Sequence, residues 1–146
     1  MLIKLDIAKA YDKLRWNYLE AILNAHSFSP EWVEWVMALV SSPFYSIILN
    51  GYPTRLFPPS SGNRQGDLLS PFLFFLAAEG LSNIIQAKEE ASRIRGLVLH
   101  KYMKKQTHQQ FMDDTMLMGH PSIQEARAFK SSLSLFAKAS SLAVNA

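Results

Sequence analysis

The segment Gln110-Phe111-Met112-Asp113-Asp114-Thr115-Met116-Leu117-Met118-Gly119 joins two apolar arms through a pair of adjacent aspartates. Successive side chains of a regular strand point to opposite faces, so two neighbouring aspartates share one site only where the chain turns. The segment therefore predicts a β-hairpin with Asp113 and Asp114 at its tip. Paired carboxylates suit Mg²⁺, which prefers oxygen ligands. Aspartate is also a common turn residue, so the pair alone leaves a metal site and a simple turn both open.

The composition is that of a folded domain. Of 146 residues, 49% are hydrophobic and 18% are charged, proportions that are usual for globular proteins and argue against disorder. The formal net charge of +3 is compatible with a nucleic-acid partner but does not require one. Cysteine is absent, which excludes disulfides, thiolate metal sites and a cysteine nucleophile.

The apolar segments predict no membrane partner. The most apolar run, Phe72 to Ala78, is interrupted by Glu79 and is much shorter than the roughly 20 residues that cross a bilayer. The segment from Met1 to Asp6 lacks the basic and apolar regions of a signal peptide and reads as the start of a strand.

Hydrophobic periodicity and capping signals predict an α+β domain. A strand is expected over 2–7, and a capping box of Asn17 and Glu20 predicts a helix from about Asn17 to His26. Ser29 and Pro30 predict the start of a second helix. Its expected buried stripe is Trp32, Val33, Val36, Leu39 and Val40.

The second half of the sequence continues the pattern with hairpins and helices. The expected elements are a hairpin at Asn50-Gly51 with arms near 44–49 and 54–57, a helix from Ser70-Pro71 to about Ala91, a strand over 96–100, the aspartate hairpin, and a helix from the Ser122–Glu125 capping box to about Leu142. This order indicates an antiparallel sheet with helices packed on one face.

Two further segments combine with the aspartate pair. Leu5-Asp6-Ile7-Ala8-Lys9-Ala10-Tyr11-Asp12 places a carboxylate near a strand end and an aromatic residue five positions later. Gly62-Asn63-Arg64-Gln65-Gly66-Asp67-Leu68-Leu69-Ser70-Pro71 is a glycine-flanked polar loop that leads into a helix. Such loops bring backbone amides close to phosphates, because glycine removes the side-chain barrier and a helix N-terminus favours negative charge.

Together the three segments resemble the palm of reverse transcriptases. The segment at Asp6 resembles polymerase motif A, the loop at Gly62 resembles motif B, and Phe111-Met112-Asp113-Asp114 resembles motif C. The Arg64-Gln65-Gly66-Asp67 form of motif B is similar to that of LINE-type non-LTR retrotransposons, particularly those of plants. The resemblance implies an α+β, polymerase palm-like fold and the activity of an RNA-directed DNA polymerase, a nucleotidyltransferase.

The resemblance also implies a catalytic site. Asp6 and Asp113 are then the shared ligands of two Mg²⁺ ions, with Mn²⁺ as an alternative metal, and Asp114 is an auxiliary ligand. Tyr11 stands at the position of the family's aromatic gate, which excludes a 2′-hydroxyl; a core aromatic is the alternative. The implied nucleotide-binding residues are Tyr11, Arg64, Gln65 and Gly66. Asp12 and Asp67 are expected to be structural.

The implied partners are an RNA template, a DNA primer and deoxynucleoside triphosphates. The resemblance alone leaves two compartments open, the nucleus and the cytoplasm. Residues 1–146 are expected to form a partial palm domain without the fingers region and the thumb. Little or no polymerisation is expected from this chain alone, because positioning supplies much of the rate of phosphoryl transfer. Leu69 replaces the usual proline of motif B, and Ser141 replaces a usual glycine near the end of the chain.

Two alternatives to an intact polymerase remain open. One is a decayed or domesticated relic that binds nucleic acid through a basic segment, although a solvated charged face explains that segment equally well. The segment contains Lys88, Arg93, Arg95, Lys101, Lys104 and Lys105. The other alternative is a fragment of a group II intron maturase, against which Arg64-Gln65-Gly66-Asp67 argues. The four histidines have no metal-binding spacing.

Overall fold

A computed structural model describes residues 1–8, 10–98, 100–102 and 105–145. The elements in chain order are β1 (Leu2–Ala8), α1 (Ala10–Lys13), α2 (Trp16–Ala25), α3 (Pro30–Ser41), β2 (Ile48–Leu49), β3 (Tyr52–Pro53), α4 (Ser70–Glu90), β4 (His108–Phe111), β5 (Asp114–Met118), α5 (Ile123–Ser140) and β6 (Ala143–Asn145).

Strand β1 is central in a four-stranded antiparallel sheet with the order β4-β5-β1-β6. Leu5 and Ile7 of β1 are buried whereas Lys4 and Asp6 are exposed, as the alternation of side chains along a strand requires. Strands β4 and β5 are the arms of the predicted aspartate hairpin. The sequence did not predict β6, which pairs with the end of β1.

The long helices cover one face of this sheet. Leu5, Ile7 and Leu117 of the sheet share one core with residues of α2, α4 and α5. The largest fully buried helix side chains in that core are Leu19, Leu23, Leu73, Phe74, Leu81, Ile85, Phe129 and Phe136. The predicted α+β architecture, an antiparallel sheet with helices packed on one face, is confirmed.

Helix α4 contacts α2 at a short distance because Gly80 has no side chain. A Cβ atom on Gly80 would lie 2.1 Å from the Tyr18 hydroxyl oxygen. That hydroxyl donates a hydrogen bond of 2.9 Å to the Ala77 carbonyl oxygen, and burial raises the pKa of Tyr18 to about 12. The phenol therefore remains a donor at neutral pH and joins the two helices.

The helix boundaries agree with the sequence in most places. Ser29 caps α3, accepting a hydrogen bond of 3.3 Å from the Trp32 amide. The capping box at Asn17 is wrong: α2 begins at Trp16 without a side-chain cap, and Asn17 accepts from the adjacent Tyr18 amide instead. Among the described helices, none combines the length and apolar character needed to pass through a lipid bilayer.

The predicted stripe of α3 is only partly correct. Val33 and Val36 are buried, but Leu39 is 62% exposed. Trp32 and Val40 are partly buried and pack against the core, so Leu39 is the position of the predicted stripe that lies outside it.

The two other predicted β segments are shorter than expected. The Asn50-Gly51 turn is present with positive φ at both residues, and it joins the two-residue strands β2 and β3. The predicted strand over 96–100 is represented by an isolated bridge between Leu97 and Gln106, and Leu99 lies outside the described residues.

Candidate functional site

The hairpin of β4 and β5 turns at Met112 and Asp113. Phe111 pairs with Asp114, so Asp114 is the first residue of β5. The prediction that Asp114 shares the tip with Asp113 is therefore wrong. Met112 takes the left-handed conformation that closes the turn, with a φ of 55°. The backbone carbonyl of Asp113 accepts a hydrogen bond of 3.0 Å from the amide of Ile7. Asp113 is thereby attached to β1 immediately after Asp6.

Asp6 and Asp114 are direct partners across β1 and β5. Opposed residues of an antiparallel pair project from the same face of the sheet, with Cβ atoms about 4.5 to 5.5 Å apart. Here that face is the one without helices, since Asp6 is exposed and its neighbours Leu5 and Ile7 enter the core. Two motifs that are more than 100 residues apart in the sequence therefore contribute carboxylates to one location.

Lys4 partly neutralises this acidic group. Its Nζ lies 3.0 Å from Oδ2 of Asp114, and both side chains are at least about half exposed. Exposed ion pairs of this kind contribute little to stability. Lys4 was not among the predicted site residues, although its position two residues before Asp6, on the same face of the strand, could have indicated it.

The three aspartates offer suitable donors for a divalent cation. Carboxylate oxygens are the ligands that Mg²⁺ prefers, and Asp6, Asp113 and Asp114 lie at one end of the β1–β5 pair. Within the described part of the chain, however, no group of three or more acidic or histidine side chains is arranged around one point. The backbone fits a metal site, and the side chains would have to rotate to complete it. For Asp114 this rotation means leaving Lys4.

The motif B loop is anchored on the segment that follows β1. The amide of Asn63 donates a hydrogen bond of 2.6 Å to the carbonyl of Tyr11, and the amide of Gly62 donates one of 2.8 Å to the carbonyl of Leu14. Gly62 has a φ of +86°, and a Cβ atom there would lie 2.6 Å from the carbonyl oxygen of Asp12. The loop can approach α1 this closely only because residue 62 is glycine.

Tyr11 contacts both the core and the motif B loop. Its side chain is partly buried, and its ring centroid lies 5.4 Å from that of Phe74 in α4. The packing is that of a core aromatic at the edge of the sheet. A gate role for the same ring stays a prediction.

The other predicted nucleotide-binding residues are exposed. Arg64 and Gln65 line a cleft of about 520 Å³ together with Asp12 and Tyr45. Gly66 has a φ of +87°, a conformation that favours glycine. The structure thus brings Tyr11 and the motif B loop together, and it separately places the backbones of Asp6, Asp113 and Asp114 at one end of the β1–β5 pair.

The structural role expected of Asp67 is confirmed. Its Oδ1 accepts a hydrogen bond of 3.0 Å from the amide of Leu69, immediately before α4. Leu69 itself has helical dihedral angles, so the helix starts without the proline that is usual there.

Asn63 is a residue of motif B that sequence reasoning left without a role. Its side chain is only 7% exposed, and neither its Oδ1 nor its Nδ2 has a hydrogen-bond partner among residues 1–8, 10–98, 100–102 and 105–145. Its sequence context, a polar residue after a turn glycine, gave no sign that Asn63 is buried.

The basic residues that are close in the sequence do not all lie together in the structure. Lys88, Arg93 and Arg95 gather in one cleft with Arg127 of α5, which the sequence analysis did not include. Lys101 lies over the ring of Tyr102, 4.8 Å from its centroid, and does not line this cleft. Lys104 lies outside the described residues.

Comparison with known proteins identifies the family. A profile of the reverse transcriptase (RNA-dependent DNA polymerase) family matches residues 1–146. The chain belongs to the reverse transcriptase family. The resemblance that the three motifs carry is thereby confirmed.

Curated relatives of this reverse transcriptase chain include transposon proteins. An uncharacterized mitochondrial protein of Arabidopsis thaliana is 42% identical over 73 residues, which are 49% of this chain and 60% of that protein. The transposon TX1 uncharacterized 149 kDa protein of Xenopus laevis is 29% identical over 143 residues, 98% of this chain and 10% of that protein. The retrovirus-related Pol polyprotein of the type-2 retrotransposable element R2DM of Drosophila melanogaster is 32% identical over 77 residues, 53% of this chain and 7% of the polyprotein.

These relatives are consistent with a reverse transcriptase domain of the non-LTR retrotransposon type. The chain spans 60% of the length of the Arabidopsis protein and 10% of that of the Xenopus protein.

Solved structures of telomerase have the same fold. Apo telomerase from Candida tropicalis, truncated from its C-terminal domain, superimposes with a TM-score of 0.67 at 17% identity, over 97% of this chain and 28% of the telomerase. Telomerase from the same organism in complex with a fragment of telomeric RNA gives a TM-score of 0.72 at 16% identity, over 99% of this chain and 24% of the telomerase. The similarity confirms a polymerase palm-like fold.

Proposed function

We propose that this chain is the palm of an RNA-directed DNA polymerase of a non-LTR retroelement, and that its aspartates serve two-metal nucleotidyl transfer. The observation that carries the proposal is the register of β1 and β5, which sets Asp6 opposite Asp114 and beside the loop residue Asp113. Carboxylates from separate chain segments at one end of the exposed sheet face are what a pair of divalent cations requires.

In this proposal Asp6 and Asp113 are the shared ligands, and Asp114 is the auxiliary one. Family membership implies a divalent metal, and the oxygen donors favour Mg²⁺, with Mn²⁺ as an alternative. When bound, the two ions stabilise charge on the attacking and leaving oxygens. Lys4 would hold Asp114 in place until the ligands converge, since its ammonium group is the nearest counter-ion on that face.

The reaction is a transfer of one nucleotide to a primer. The primer 3′-hydroxyl attacks the α-phosphate of a deoxynucleoside triphosphate, a new phosphodiester bond forms, and the bond to the β-phosphate oxygen breaks with release of pyrophosphate. The hydroxyl proton passes to solvent. Little covalent chemistry is left to protein side chains, so positioning dominates the rate.

Tyr11 and the motif B loop would position the incoming nucleotide. The ring of Tyr11 is fixed from behind by Phe74, so it can resist a 2′-hydroxyl by steric contact. Gln65 and Gly66 would contact the nucleotide, and Arg64 would support a phosphate or a nearby carboxylate. Two observations support this assignment. The side chains of Arg64 and Gln65 are exposed, and the hydrogen bond from the Asn63 amide to the Tyr11 carbonyl connects the loop to the proposed aromatic gate.

The partners in this proposal are an RNA template and a DNA primer. The telomerase relative was solved with a fragment of telomeric RNA, and the present chain spans about a quarter of it. Segments outside this palm would supply the grip on the duplex. We therefore expect little or no primer extension by the 146-residue chain alone, and extension that is lost in Asp113→Ala would contradict that expectation.

Nucleotide binding tests the proposal directly. In a titration of the chain with a fluorescent deoxynucleoside triphosphate, we expect binding that requires Mg²⁺ and that Asp113→Asn weakens about tenfold or more, since it removes a charged ligand. Tyr11→Ala should weaken discrimination between deoxyribose and ribose triphosphates, whereas Tyr11→Phe should preserve it.

Tyr52→Ala is the control for loss of a tyrosine, because this side chain is exposed on β3. Equal binding of both sugars by the wild-type chain, or nucleotide binding that ignores the aspartates, would overturn the assignment.

A further inference from the structure

A second polar cleft lies between the end of α4 and the first half of α5. It encloses about 520 Å³, and its lining combines four cationic side chains with one carboxylate. The cleft's cations are Lys88, Arg93, Arg95 and Arg127, and its carboxylate is Glu125. Its excess of three positive charges equals the formal net charge of the whole chain. We propose that this basic cleft binds phosphate groups of a nucleic-acid backbone.

Three of the four cations in the basic cleft are not compensated. The side chains of Lys88, Arg93 and Arg127 form no ion pair with any residue that the structure describes. Like charges that converge without a counter-ion repel each other, and a concave wall concentrates their field. An anion from outside the chain removes this repulsion.

The fourth cation is held by a buried acid. Glu125 is 1% exposed, its Oε2 accepts a hydrogen bond of 3.0 Å from the amide of His120, and its Oε1 lies 3.4 Å from Nε of Arg95. The contact of this ion pair is made by Nε. The two Nη nitrogens of Arg95 remain as donors that could bind an oxyanion in pairs.

The composition of the cleft favours phosphate over an acidic peptide. Three of the four cations are arginines, whose planar fork matches phosphate oxygens in pairs. Among the residues that the structure describes, Ala128 is the only apolar one in the lining, and these residues form no pocket for the large apolar anchors that peptide interfaces use. Phosphate contacts of this type are independent of nucleotide sequence.

The basic cleft is separate from the aspartates. Helices α4 and α5 pack on the sheet face that contains Leu5 and Ile7, whereas Asp6 projects from the opposite face. None of the described residues of motifs A, B and C lines the cleft. The inference therefore does not rest on the polymerase proposal, and it implies that nucleic acid can contact both sides of the domain.

Binding of a short fluorescein-labelled oligouridylate, followed by fluorescence anisotropy in EDTA over a series of salt concentrations, tests the inference. We expect Arg93→Gln/Arg127→Gln to raise the dissociation constant about tenfold and to make the slope of log affinity against log salt shallower by about one to two, because each lost phosphate contact lowers counter-ion release. Circular dichroism establishes that the variant is folded.

Lys130→Gln/Lys138→Gln is the matched control. It also removes two positive charges, both from exposed positions of α5 outside the cleft, and it should change the affinity for oligouridylate much less. Asp113→Asn should bind the oligonucleotide like the wild-type chain or more tightly. An equal effect of the two double variants would show general charge attraction and would overturn the site.

Two competitors separate the possible sources of the anion. Inorganic phosphate that raises the melting temperature of the wild-type chain but not of Arg93→Gln/Arg127→Gln, while oligouridylate affinity is the same in both, would overturn the nucleic-acid assignment. Displacement of the oligonucleotide by polyglutamate as effectively as by unlabelled oligouridylate would also overturn it. Selective displacement by oligouridylate supports it.

Discussion

Thr115 follows Asp114 directly and points into the core. It pairs with Leu5 across the sheet, it is 1% exposed, and its hydroxyl has no hydrogen-bond partner among the residues that the structure describes. A buried hydroxyl without a partner costs about 1 to 3 kcal/mol of desolvation. The residue beside the candidate site thus reduces the stability of the fold.

Thr115→Val should remove that cost, because valine has nearly the same shape without the hydroxyl. We expect the free energy of unfolding in urea to rise by about 1 kcal/mol. Thr107→Val is the matched control: this threonine is also buried, but its hydroxyl is 3.0 Å from Nδ1 of His108, so its replacement should destabilise the fold. Equal effects of the two substitutions would show that Thr115 is not unpaired.

The aspartate turn shows what single residues allow one to predict. Asp113 and Asp114 indicated a hairpin because aspartate favours turns, and the hairpin is present. The turn lies one residue earlier because Thr115 and Leu117 must both face the core, which fixes Asp114 in the strand. Met112 then takes a left-handed conformation that its own side chain does not favour.

At the scale of elements, contact between the motif B loop and α1 depends on Gly62. Any other residue there combines a positive φ with a close approach to the backbone of Asp12. Gly51 and Gly62 have nearly equal φ values of +85° and +86°, but a Cβ atom on Gly51 would meet nothing within 4 Å. Comparing alanine substitutions at Gly51 and Gly62 therefore separates the free-energy cost of a positive φ from the cost of the close contact.

Gly62→Ala should therefore lower the free energy of unfolding more than Gly51→Ala does, by about 1 to 3 kcal/mol, the usual cost of overpacking. Urea unfolding followed by circular dichroism measures both. If the two substitutions cost the same, the loop does not rest on α1, and Tyr11 is not connected to motif B in the way described.

Elements with a long apolar period or a capping residue in their own sequence could be predicted. Helices α4 and α5 have long apolar periodicity, and the Ser122 cap is observed. Strand β6 and the four-residue helix α1 are too short for periodicity, and β6 is defined by pairing with β1. The exposure of Leu39 depends on which elements pack against α3, which is not a property of the α3 sequence.

For the whole molecule, the sequence was a better guide to which segments come together than to where their side chains lie. The three motifs implied one palm, and the fold and the family agree with it. The basic cleft could not be predicted, because Arg127 is distant in sequence from Arg93 and becomes its neighbour only when α5 packs against α4. Grouping charges by their order in the chain had joined Lys101 and Lys105 to the wrong set.

The central claim is that Asp6 and Asp113 belong to one metal site. Isothermal titration calorimetry of the 146-residue chain with Mg²⁺ and Mn²⁺ tests it most directly, beside Asp6→Asn, Asp113→Asn and the control Asp67→Asn, whose side chain caps a loop. We predict that the wild-type chain and Asp67→Asn bind the metal, and that Asp6→Asn and Asp113→Asn each bind it at least about tenfold more weakly. Folded chains that bind no metal, or that all bind it equally, would contradict the account.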